Sequence, residues 1–280
     1  MFLTVIIASK GRPAILAETI RNLHGQIQPA DEVIVSVTGR EDLPAQMPVN
    51  VRILTGPPGS SRQRNLAVVE ASPASDVMVF MDDDIALAPD YFAKVREVFQ
   101  TMPDVVAFSP TVLHDGDISR KEAEKIVSSL PPVAIEYRDI RGIYGAINVR
   151  SAIARQVTFD ERLALYGWLE DADWAARCQA FGRIGAVASC RLVHLKAGGS
   201  EGGGARFGFS QIMNPTYLWR KGSITSFGEV LRNHWLPCVV GNLLRIHRPP
   251  RRKRLKGNLI ALAKIIRGRV VPEDVAKVRP

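Results

Sequence analysis

The sequence contains few cysteines and no long apolar run. Its three cysteines, Cys178, Cys190 and Cys238, lack the paired spacing that zinc modules and disulfide frameworks use. This argues against both classes, and we expect incidental or buried thiols in a reducing compartment. No stretch reaches the roughly 20 apolar residues that a membrane-spanning helix needs. The opening apolar run also lacks the flanking features of a signal peptide, so we expect a cytoplasmic protein.

Acidic residues are scarce in the C-terminal part of the chain. Residues 245–280 carry 12 lysines or arginines against 2 acidic residues, whereas residues 1–244 carry 25 against 26. The overall net charge of +9 therefore belongs to the C-terminal segment. A nearly neutral body with a basic extension indicates a globular domain that attaches electrostatically to an anionic surface.

The first half of the sequence alternates short β-branched apolar runs with helical patterns. This alternation is typical of βαβ units that build a largely parallel sheet. We predict strands at Leu3–Ile7, Glu32–Val37, Val51–Leu54, Val77–Met81, Val105–Phe108 and Ala186–Ser189. Helices are predicted from Pro13 to about Gly25, from Ser60 or Ser61 to about Ala71, near Ser119–Ser129, and from about Leu169 to Phe181. The expected fold class is α/β with a mostly parallel central sheet.

Three adjacent carboxylates, Asp82, Asp83 and Asp84, directly follow the predicted strand Val77–Met81. Like charges at one strand end repel each other and favour a bound cation. If the extended geometry continues, Asp82 and Asp84 point to the same side and can share a divalent metal. Ligands of open α/β sheets also bind at the carboxyl ends of the strands. The alternative is a solvated acidic turn before the helix that begins near Pro89.

A second acidic cluster, Glu170, Asp171 and Asp173, lies at the start of the last predicted helix. Acidic residues at this position stabilise the helix dipole in any protein, which is the alternative explanation. Trp168 and Trp174 flank the cluster, and aromatic faces beside carboxylates are suited to binding a sugar ring. One of the carboxylates can then accept a proton from an attacking hydroxyl.

Three further features are compatible with a nucleotide site. Arg62 and Arg64 follow a glycine-proline turn at a helix N-terminus, where two cations can hold a diphosphate; exposed helix arginines are the alternative. His194 follows a predicted strand and is either a structural histidine or a metal ligand. The glycine-rich segment Gly198–Gly204 is typical of a loop or lid that closes over a ligand.

The order of these motifs resembles the family-2 glycosyltransferases, which have a Rossmann-like GT-A fold. The matching stretches are Val5–Pro13, Ser61–Asn65, Val79–Asp84, Gly145–Asn148, Phe159–Glu161, Tyr166–Asp173 and Val193–Leu195. Each motif is weak singly, whereas their order and spacing over about residues 2–222 make a specific match. The resemblance implies a catalytic domain at residues 1–222, followed by a helical, basic segment at residues 223–280.

The resemblance also implies roles for individual residues. Asp171 is similar to the family's general base, Asp84 to its metal and diphosphate ligand, and His194 to a further metal ligand. The donor-binding residues would be Ala8, Ser9, Lys10, Arg12, Arg64, Asp82 and Asp83, with Asp82 on the ribose. The acceptor side would include Trp168, Glu170 and Trp174. The implied cofactor is Mn2+ or Mg2+.

One departure from the family concerns the nucleobase. At the end of the second strand the family often carries an aspartate, whereas this sequence reads Ser36-Val37-Thr38. The nucleobase of the donor therefore stays open. The donor sugar, the acceptor, the linkage and the oligomeric state are open as well.

The function that the resemblance implies is that of an inverting, hexosyltransferase-like enzyme. It would move a sugar from a nucleotide diphosphate sugar to a hydroxyl of a glycan or lipid-linked acceptor in cell-surface polysaccharide synthesis. Two alternatives are a catalytically silent, membrane-attached scaffold and a sugar-nucleotide pyrophosphorylase. Converging carboxylates argue against the scaffold. The first loop lacks the glycine-rich stretch with following Arg and Lys that a pyrophosphorylase uses.

The C-terminal segment has the pattern of a basic amphipathic helix. Leu255, Leu259, Leu262 and Ile266 recur at helical spacing, beside a dense basic run over residues 248–256. Such a helix binds the headgroup region of an anionic membrane, which indicates a peripheral location on the cytoplasmic face. Nucleic acid is the competing partner, but no Phe, Tyr or Trp follows Trp235 to stack on bases. A solvated helix without a partner is the third interpretation.

Overall fold

The computed structural model describes residues 1–129, 131, 133–140, 145–196 and 204–279. The strands are β1 (Leu3–Ala8), β2 (Glu32–Val37), β3 (Val51–Thr55), β4 (Val77–Met81), β5 (Ile85–Leu87), β6 (Val105–Asp115), β7 (Tyr137–Asp139), β8 (Ile147–Arg150) and β9 (Arg183–His194). The α-helices are α1 (Pro13–His24), α2 (Ser60–Glu70), α3 (Tyr91–Thr101), α4 (Arg120–Ser129), α5 (Ser151–Gln156), α6 (Glu170–Cys178), α7 (Gly204–Lys221), α8 (Phe227–Glu229), α9 (Leu236–Leu244) and α10 (Pro249–Ile266). A π-helical segment, Val230–Trp235, connects α8 to α9.

These strands form one sheet in the order β3-β2-β1-β4-β8-β6-β9-β5, with β7 paired to β9. The pairs β3-β2, β2-β1, β1-β4 and β6-β9 are parallel. The short strands β5, β7 and β8 add antiparallel pairs. The predicted α/β fold with a mostly parallel central sheet is confirmed, and a helical C-terminal region follows it.

Hydrophobic cores cover both faces of the sheet. Because successive side chains of a strand point to opposite faces, Val5 and Ile7 join one core with α1 and α3, whereas Ile6 joins a second core. Residues of α2, α5 and α6 complete that second core. The Trp174 ring stacks on the Phe159 ring there, with 5.4 Å between the ring centres. The sheet is therefore buried on both sides and exposes its loops at the strand ends.

The chain divides into two compact units. Unit 1 contains the sheet and comprises Met1–Pro58, Arg62–Phe159 and Trp174–Ala197. Unit 2 comprises Gly59–Ser61, Asp160–Asp173 and Gly198–Pro280. The functional boundary predicted after residue 222 stays a prediction.

Within unit 2, α10 packs closely along α7 because two glycines face the partner backbone. A Cβ at Gly208 would overlap the carbonyl oxygen of Arg254, and a Cβ at Gly257 would overlap that of Ala205. Asn258 Nδ2 donates to the carbonyl oxygen of Gly208 at 2.7 Å and so joins the two helices. Small and amide side chains therefore allow the close contact of α10 with α7.

The leucine row predicted on α10 packs only partly inside unit 2. Leu262 packs against the core of the unit, whereas Leu259 and Ile266 are exposed. The buried positions of the helix are Arg254, Gly257, Asn258 and Ala261. Among the described residues, no helix is both long enough and apolar enough to cross a bilayer.

The strands and helices predicted up to residue 81 are confirmed to within one residue, and the helix expected to begin near Pro89 begins at Tyr91. Farther along, β6 and β9 extend well beyond the predicted strands, and the helix predicted to end at Phe181 changes to a 3-10 turn after Cys178. The short strands β5, β7 and β8 were missed because three or four residues show too little alternation. The predicted lid Gly198–Gly204 lies outside the described residues, except that Gly204 begins α7.

Candidate functional site

The aspartate triplet lies at the carboxyl edge of the sheet. β1 and β4 are parallel neighbours, with Ile7 paired to Met81. The loops that follow these two strands therefore leave the sheet at the same edge, which brings Ser9 and Arg12 next to the triplet. This is the edge at which open α/β sheets bind their ligands.

Asp83 is the fully buried member of the triplet. Its carboxylate accepts a hydrogen bond from Ser9 Oγ at 2.5 Å and pairs with the Arg12 guanidinium. Its backbone carbonyl accepts a hydrogen bond from Thr19 Oγ1 at 2.5 Å. Burial raises the pKa of Asp83 to about 6, against the opposing effects of Arg12 and Ser9. The Asp83 side chain therefore joins the β1 loop to the β4 loop, and its predicted donor contact stays a prediction.

Asp84 lies between Arg12 and His194. Arg12 Nη1 binds Asp84 Oδ2 at 2.9 Å, and His194 Nε2 lies 3.2 Å from Asp84 Oδ1. The second contact follows from the antiparallel pairing of β5 with β9, which sets Ile85 opposite His194. Burial alone would raise the pKa of Asp84, but the interaction with His194 and the charge of Arg12 lower it below its usual value. Asp84 is therefore ionised at neutral pH.

Asp82, Asp84 and His194 form a donor set for a divalent metal. Each residue offers one ligand atom, and the three atoms lie within 4.8 Å of one another. Asp84 Oδ1 is buried and lacks a well-aligned hydrogen-bond donor among the described residues, which leaves it suited to a cation. Carboxylate oxygens suit Mg2+ and Mn2+, and the imidazole favours a transition ion such as Mn2+. The residues present therefore fit the predicted metal, and Asp82, expected on the ribose, joins the two predicted ligands.

Asp115 and Lys196 lie on the other side of the His194 ring. His194 Nδ1 is 2.9 Å from Asp115 Oδ1, and Lys196 Nζ donates to Asp115 Oδ2 at 2.7 Å. Burial alone would lower the pKa of His194, but Asp84 and the neighbouring carboxylates raise it overall. A carboxylate on Nδ1 fixes the ring orientation and directs Nε2 towards a metal. Asp115 was missed by sequence reasoning, because only the pairing of β6 with β9 brings it opposite His194.

Arg64 contacts the accessible aspartate of the donor set. Its Nη2 lies 3.2 Å from Asp82 Oδ1, and its guanidinium lies 5.3 Å from the centre of the Phe159 ring. Arg64 is buried, whereas the side chain of Asp82 is partly exposed. Arg64 therefore holds the Asp82 carboxylate, which solvent and ligands can reach. The predicted contact of Arg64 with the nucleotide-sugar donor stays a prediction.

The loop after β1, predicted to bind the donor, is tied to the rest of unit 1 by Gln63. This side chain donates from Nε2 to the carbonyl oxygens of Ser9 at 3.1 Å and Ser36 at 2.7 Å. Ser9 is buried, Ala8 is half-buried and Lys10 is exposed. Of these three predicted donor residues, Lys10 and Ala8 present surface at the edge of the sheet. Gln63 was within a recognised motif, but its positioning role was not predicted.

Asp42 is a second residue that sequence reasoning missed. Its Oδ1 accepts a hydrogen bond from the Gly11 backbone N–H at 2.6 Å, and its Oδ2 accepts one from Thr38 Oγ1 at 2.6 Å. Burial alone would raise the pKa of Asp42, but these hydrogen bonds lower it. An aspartate therefore does lie beside the β1 loop, although none stands in the Ser36-Val37-Thr38 sequence at the end of β2.

In unit 2, the carboxylate of Glu170 is held at the start of α6. It accepts hydrogen bonds from Ser60 Oγ and, at 3.2 Å, from Ser61 Oγ. Gly167 has a φ of 63°, and a Cβ there would overlap the Glu170 carboxylate. A glycine is therefore required at this position for both its backbone conformation and its lack of a side chain.

Asp171 is half-buried in the first turn of α6. Its Oδ1 accepts a hydrogen bond from the Ala172 N–H at 2.8 Å. The preceding loop places Leu165 and Leu169 in the left-handed region, with φ of 62° and 70°. Such a conformation is uncommon for leucine and occurs where the surroundings fix the backbone, often at functional sites. The role of Asp171 as general base stays a prediction.

The aromatic residues predicted on the acceptor side have different surroundings. Trp174 is fully buried, and its Nε1 donates to the carbonyl oxygen of Val157 at 2.6 Å. A ring without exposed surface cannot stack on a sugar, so the prediction for Trp174 is wrong. In unit 2, Trp168 and the exposed Tyr166 both pack edge-on against Phe207, at 5.2 and 5.6 Å between ring centres. Phe207 was not predicted, because it lies far away in sequence.

Comparison with known protein families gives one match over most of unit 1. The family model Glycosyl transferase family 2 matches residues 4–159, which is more than half of the chain. The matched range includes the aspartate triplet. No curated protein sequence matches the chain.

Several solved structures share the fold. PcManGT, a mannosyltransferase from Pyrobaculum calidifontis in complex with GDP-Man and Mn2+, has 16% identity and a TM-score of 0.55 over 98% of this chain and 78% of that chain. GalNAc-T7 with UDP, GalNAc and Mn2+ has 12% identity and a TM-score of 0.52, covering 69% of this chain and 43% of that one. S. aureus TarS has 16% identity and a TM-score of 0.50, covering 76% and 40%. This chain therefore matches less than half the length of GalNAc-T7 and TarS, and the likeness shows the fold.

Proposed function

Because this chain belongs to glycosyl transferase family 2, we propose that it is a metal-dependent enzyme that transfers a sugar from a nucleotide diphosphate sugar with inversion of configuration. The carrying observation is the donor set of Asp82, Asp84 and His194 at the carboxyl edge of the sheet. Two carboxylates and an imidazole at this edge suit a metal that accompanies a diphosphate.

The metal is proposed to be Mn2+, with Mg2+ as the alternative. When bound, it supplies Lewis-acid stabilisation to the diphosphate leaving group. The structures of PcManGT and GalNAc-T7 contain Mn2+, which supports this choice. Asp84 and His194 are the proposed ligands, joined by Asp82. Asp115 holds the His194 ring in the orientation that ligation requires.

The donor is proposed to bind at the loops around the triplet. Lys10, Arg12 and Arg64 supply positive charge for the diphosphate, and Ala8 and Ser9 lie where β1 ends and its loop begins. Arg12 is partly exposed while it binds Asp83 and Asp84, so it presents part of its guanidinium to a ligand. The nucleobase is not assigned: GDP-Man in PcManGT and UDP in GalNAc-T7 represent both purine and pyrimidine donors.

Asp171 is proposed as the general base that deprotonates the attacking hydroxyl. Its carboxylate is half-buried, so an acceptor can reach it, and the Glu170-Asp171 motif resembles the one that contains the family's base. Glu170 is the proposed positioning residue, since Ser60 and Ser61 fix its carboxylate. Trp168, with Phe207 behind it, is the proposed aromatic surface for the acceptor. Deprotonation during attack from the face opposite the leaving group gives inversion.

The donor site is tested by thermal unfolding with uridine, thymidine and guanosine diphosphates and their sugars, with and without Mn2+. A ligand at about 100 times its Kd raises the free energy of unfolding by about 2.7 kcal/mol, which raises the melting temperature of a domain of this size by roughly 5–10 °C. We expect a Mn2+-dependent shift for one base that disappears in Asp84→Ala and persists in Asp104→Ala. Asp104 is a matched control because it is an exposed carboxylate paired with Arg183 in unit 1. No shift with any nucleotide would favour the silent scaffold.

The catalytic role is tested separately with Asp171→Asn. We expect this variant to lose most of its turnover while its Mn2+-dependent nucleotide shift survives, because the substitution removes a proton acceptor and no donor contact. Unchanged turnover would remove Asp171 from the mechanism.

For the acceptor and location, we propose a glycan or lipid-linked acceptor in cell-surface polysaccharide synthesis, at the cytoplasmic face of an anionic membrane. The basic residues of the segment 245–280 support a membrane contact, and no nucleic acid is expected as a partner. The full chain should co-sediment with anionic vesicles at low salt and leave them at high salt. Equal binding to neutral vesicles would contradict an electrostatic attachment.

A further inference from the structure

Helix α9 carries an apolar face that is left exposed by the described residues of unit 2. Leu236, Val240, Leu243 and Leu244 are 57%, 45%, 53% and 75% exposed. Their spacing of four, three and one residues places all four on one side of the helix. Exposed aliphatic side chains that share one helix face indicate an interaction surface rather than isolated surface residues.

The opposite side of α9 is fixed inside unit 2. Asn242 is fully buried and its Nδ2 donates to Asn258 Oδ1 at 2.9 Å and to Gln211 Oε1 at 3.2 Å. Val239 packs against the hydrophobic core of the unit. The helix therefore cannot turn its leucines inward without breaking a buried amide network.

The positive charges around the apolar face of α9 indicate which kind of partner it binds. From Val230 to Pro272 the sequence contains no acidic residue and 11 lysines or arginines. Arg245 and Arg248 directly follow the helix and are exposed, as are Arg252 and Lys253 in α10. A second copy of this chain would bring like charges together, whereas an anionic lipid surface complements them.

We propose that α9 lies in the headgroup region of an anionic bilayer with Leu236, Val240, Leu243 and Leu244 directed towards the acyl chains. This inference deepens the membrane attachment proposed above, and it moves the apolar contact from the leucines of α10 to α9. The nine residues of α9 are far too few to span a bilayer, so the helix lies along the surface. The arginines that follow the helix remain at the level of the lipid phosphates.

The test is co-sedimentation of the full chain with vesicles of phosphatidylcholine containing about one third phosphatidylglycerol. We expect Leu243→Gln/Leu244→Gln to lower the partition coefficient at least about tenfold, because two side chains lose their apolar burial. The matched control is Ile27→Gln/Val69→Gln, which changes two aliphatic residues of unit 1 that are at least as exposed and should bind like the wild type. Arg252→Gln/Lys253→Gln should reduce both the binding and its dependence on salt.

The outcomes of these experiments distinguish the proposed membrane contact of α9 from the proposed glycosyltransferase activity. Wild-type partitioning of Leu243→Gln/Leu244→Gln would overturn the role of α9, even if the basic residues still attach the chain. A dimer in sedimentation velocity that this variant abolishes would also overturn it, since a second copy would then cover the face. The same variant should keep the Mn2+-dependent nucleotide shift, which shows that it is folded. Vesicle binding without any nucleotide shift would refute the glycosyltransferase proposal and leave the α9 inference standing.

Discussion

Replacing Asp115 with asparagine should weaken metal binding without removing a metal ligand. Asp115 Oδ1 lies 2.9 Å from His194 Nδ1, and Lys196 Nζ binds the other oxygen at 2.7 Å. The amide keeps the size of the side chain but loses the negative charge that polarises the imidazole. A partner of this kind is worth about 10–100-fold in metal affinity. Because the Asp115 side chain is 51% exposed, we expect the lower end, about tenfold or about 1.4 kcal/mol.

The assay is a titration with Mn2+ in which the electron paramagnetic resonance signal of free Mn2+ gives the Kd. Asp104→Asn is the control, since it neutralises another exposed carboxylate that pairs with a cation in unit 1. Asp84→Ala should abolish the site. If Asp115→Asn and Asp104→Asn bind Mn2+ equally well, Asp115 does not orient the ligand and the reasoning is refuted.

Three further predictions concern stability and follow from contacts in each unit. Gly208→Val places a side chain on the carbonyl oxygen of Arg254 and should lower the free energy of unfolding by at least about 2 kcal/mol in denaturant titrations. The control Gly241→Ala, at a position with open space around it, should change the free energy of unfolding by under about 1 kcal/mol. Trp174→Ala should cost about 3–5 kcal/mol in the same assay, and a cost under about 1 kcal/mol would contradict its burial. Hydrogen bonds from Lys264 and Lys277 lower the pKa of Asp274 to about 2. A lowered folded-state pKa stabilises the protein above the unfolded-state pKa, so about 1–2 kcal/mol should be lost as the pH falls from about 5 to 2, and Asp274→Asn should lack this part of the acid dependence.

Much of unit 1 could be predicted from the sequence because its signals are local. The β-branched runs of β1, β2, β3 and β4 are separated by helical segments. Adjacent carboxylates after a buried strand identified Asp84 as a metal ligand candidate, and the resemblance added His194. The general rule that ligands bind at the carboxyl ends of the strands placed Asp84 at the site, whereas the approach of His194 to Asp84 required the antiparallel pairing of β5 with β9, which the sequence did not reveal.

Other features depend on contacts between residues distant in sequence. Asp83 and Trp174 have the residue types of a binding site. In the fold, however, Asp83 is buried between two loops that it connects, and Trp174 belongs to the hydrophobic core. Asp115 reaches His194 only through the pairing of β6 with β9. No local pattern distinguishes an exposed acidic or aromatic side chain from a buried one.

The C-terminal helices show the same division. The sequence by itself determined the excess of positive charge after residue 244 and the lack of any apolar run long enough to cross a bilayer. The tertiary structure decided which helix face is left outside. Close packing requires residues without bulk, so Gly208 and Gly257 set α10 against α7, and the amides of Asn242 and Asn258 had to be buried together to satisfy their hydrogen bonds. The leucines of α9 are exposed as the consequence of that packing, which a single helical pattern cannot reveal.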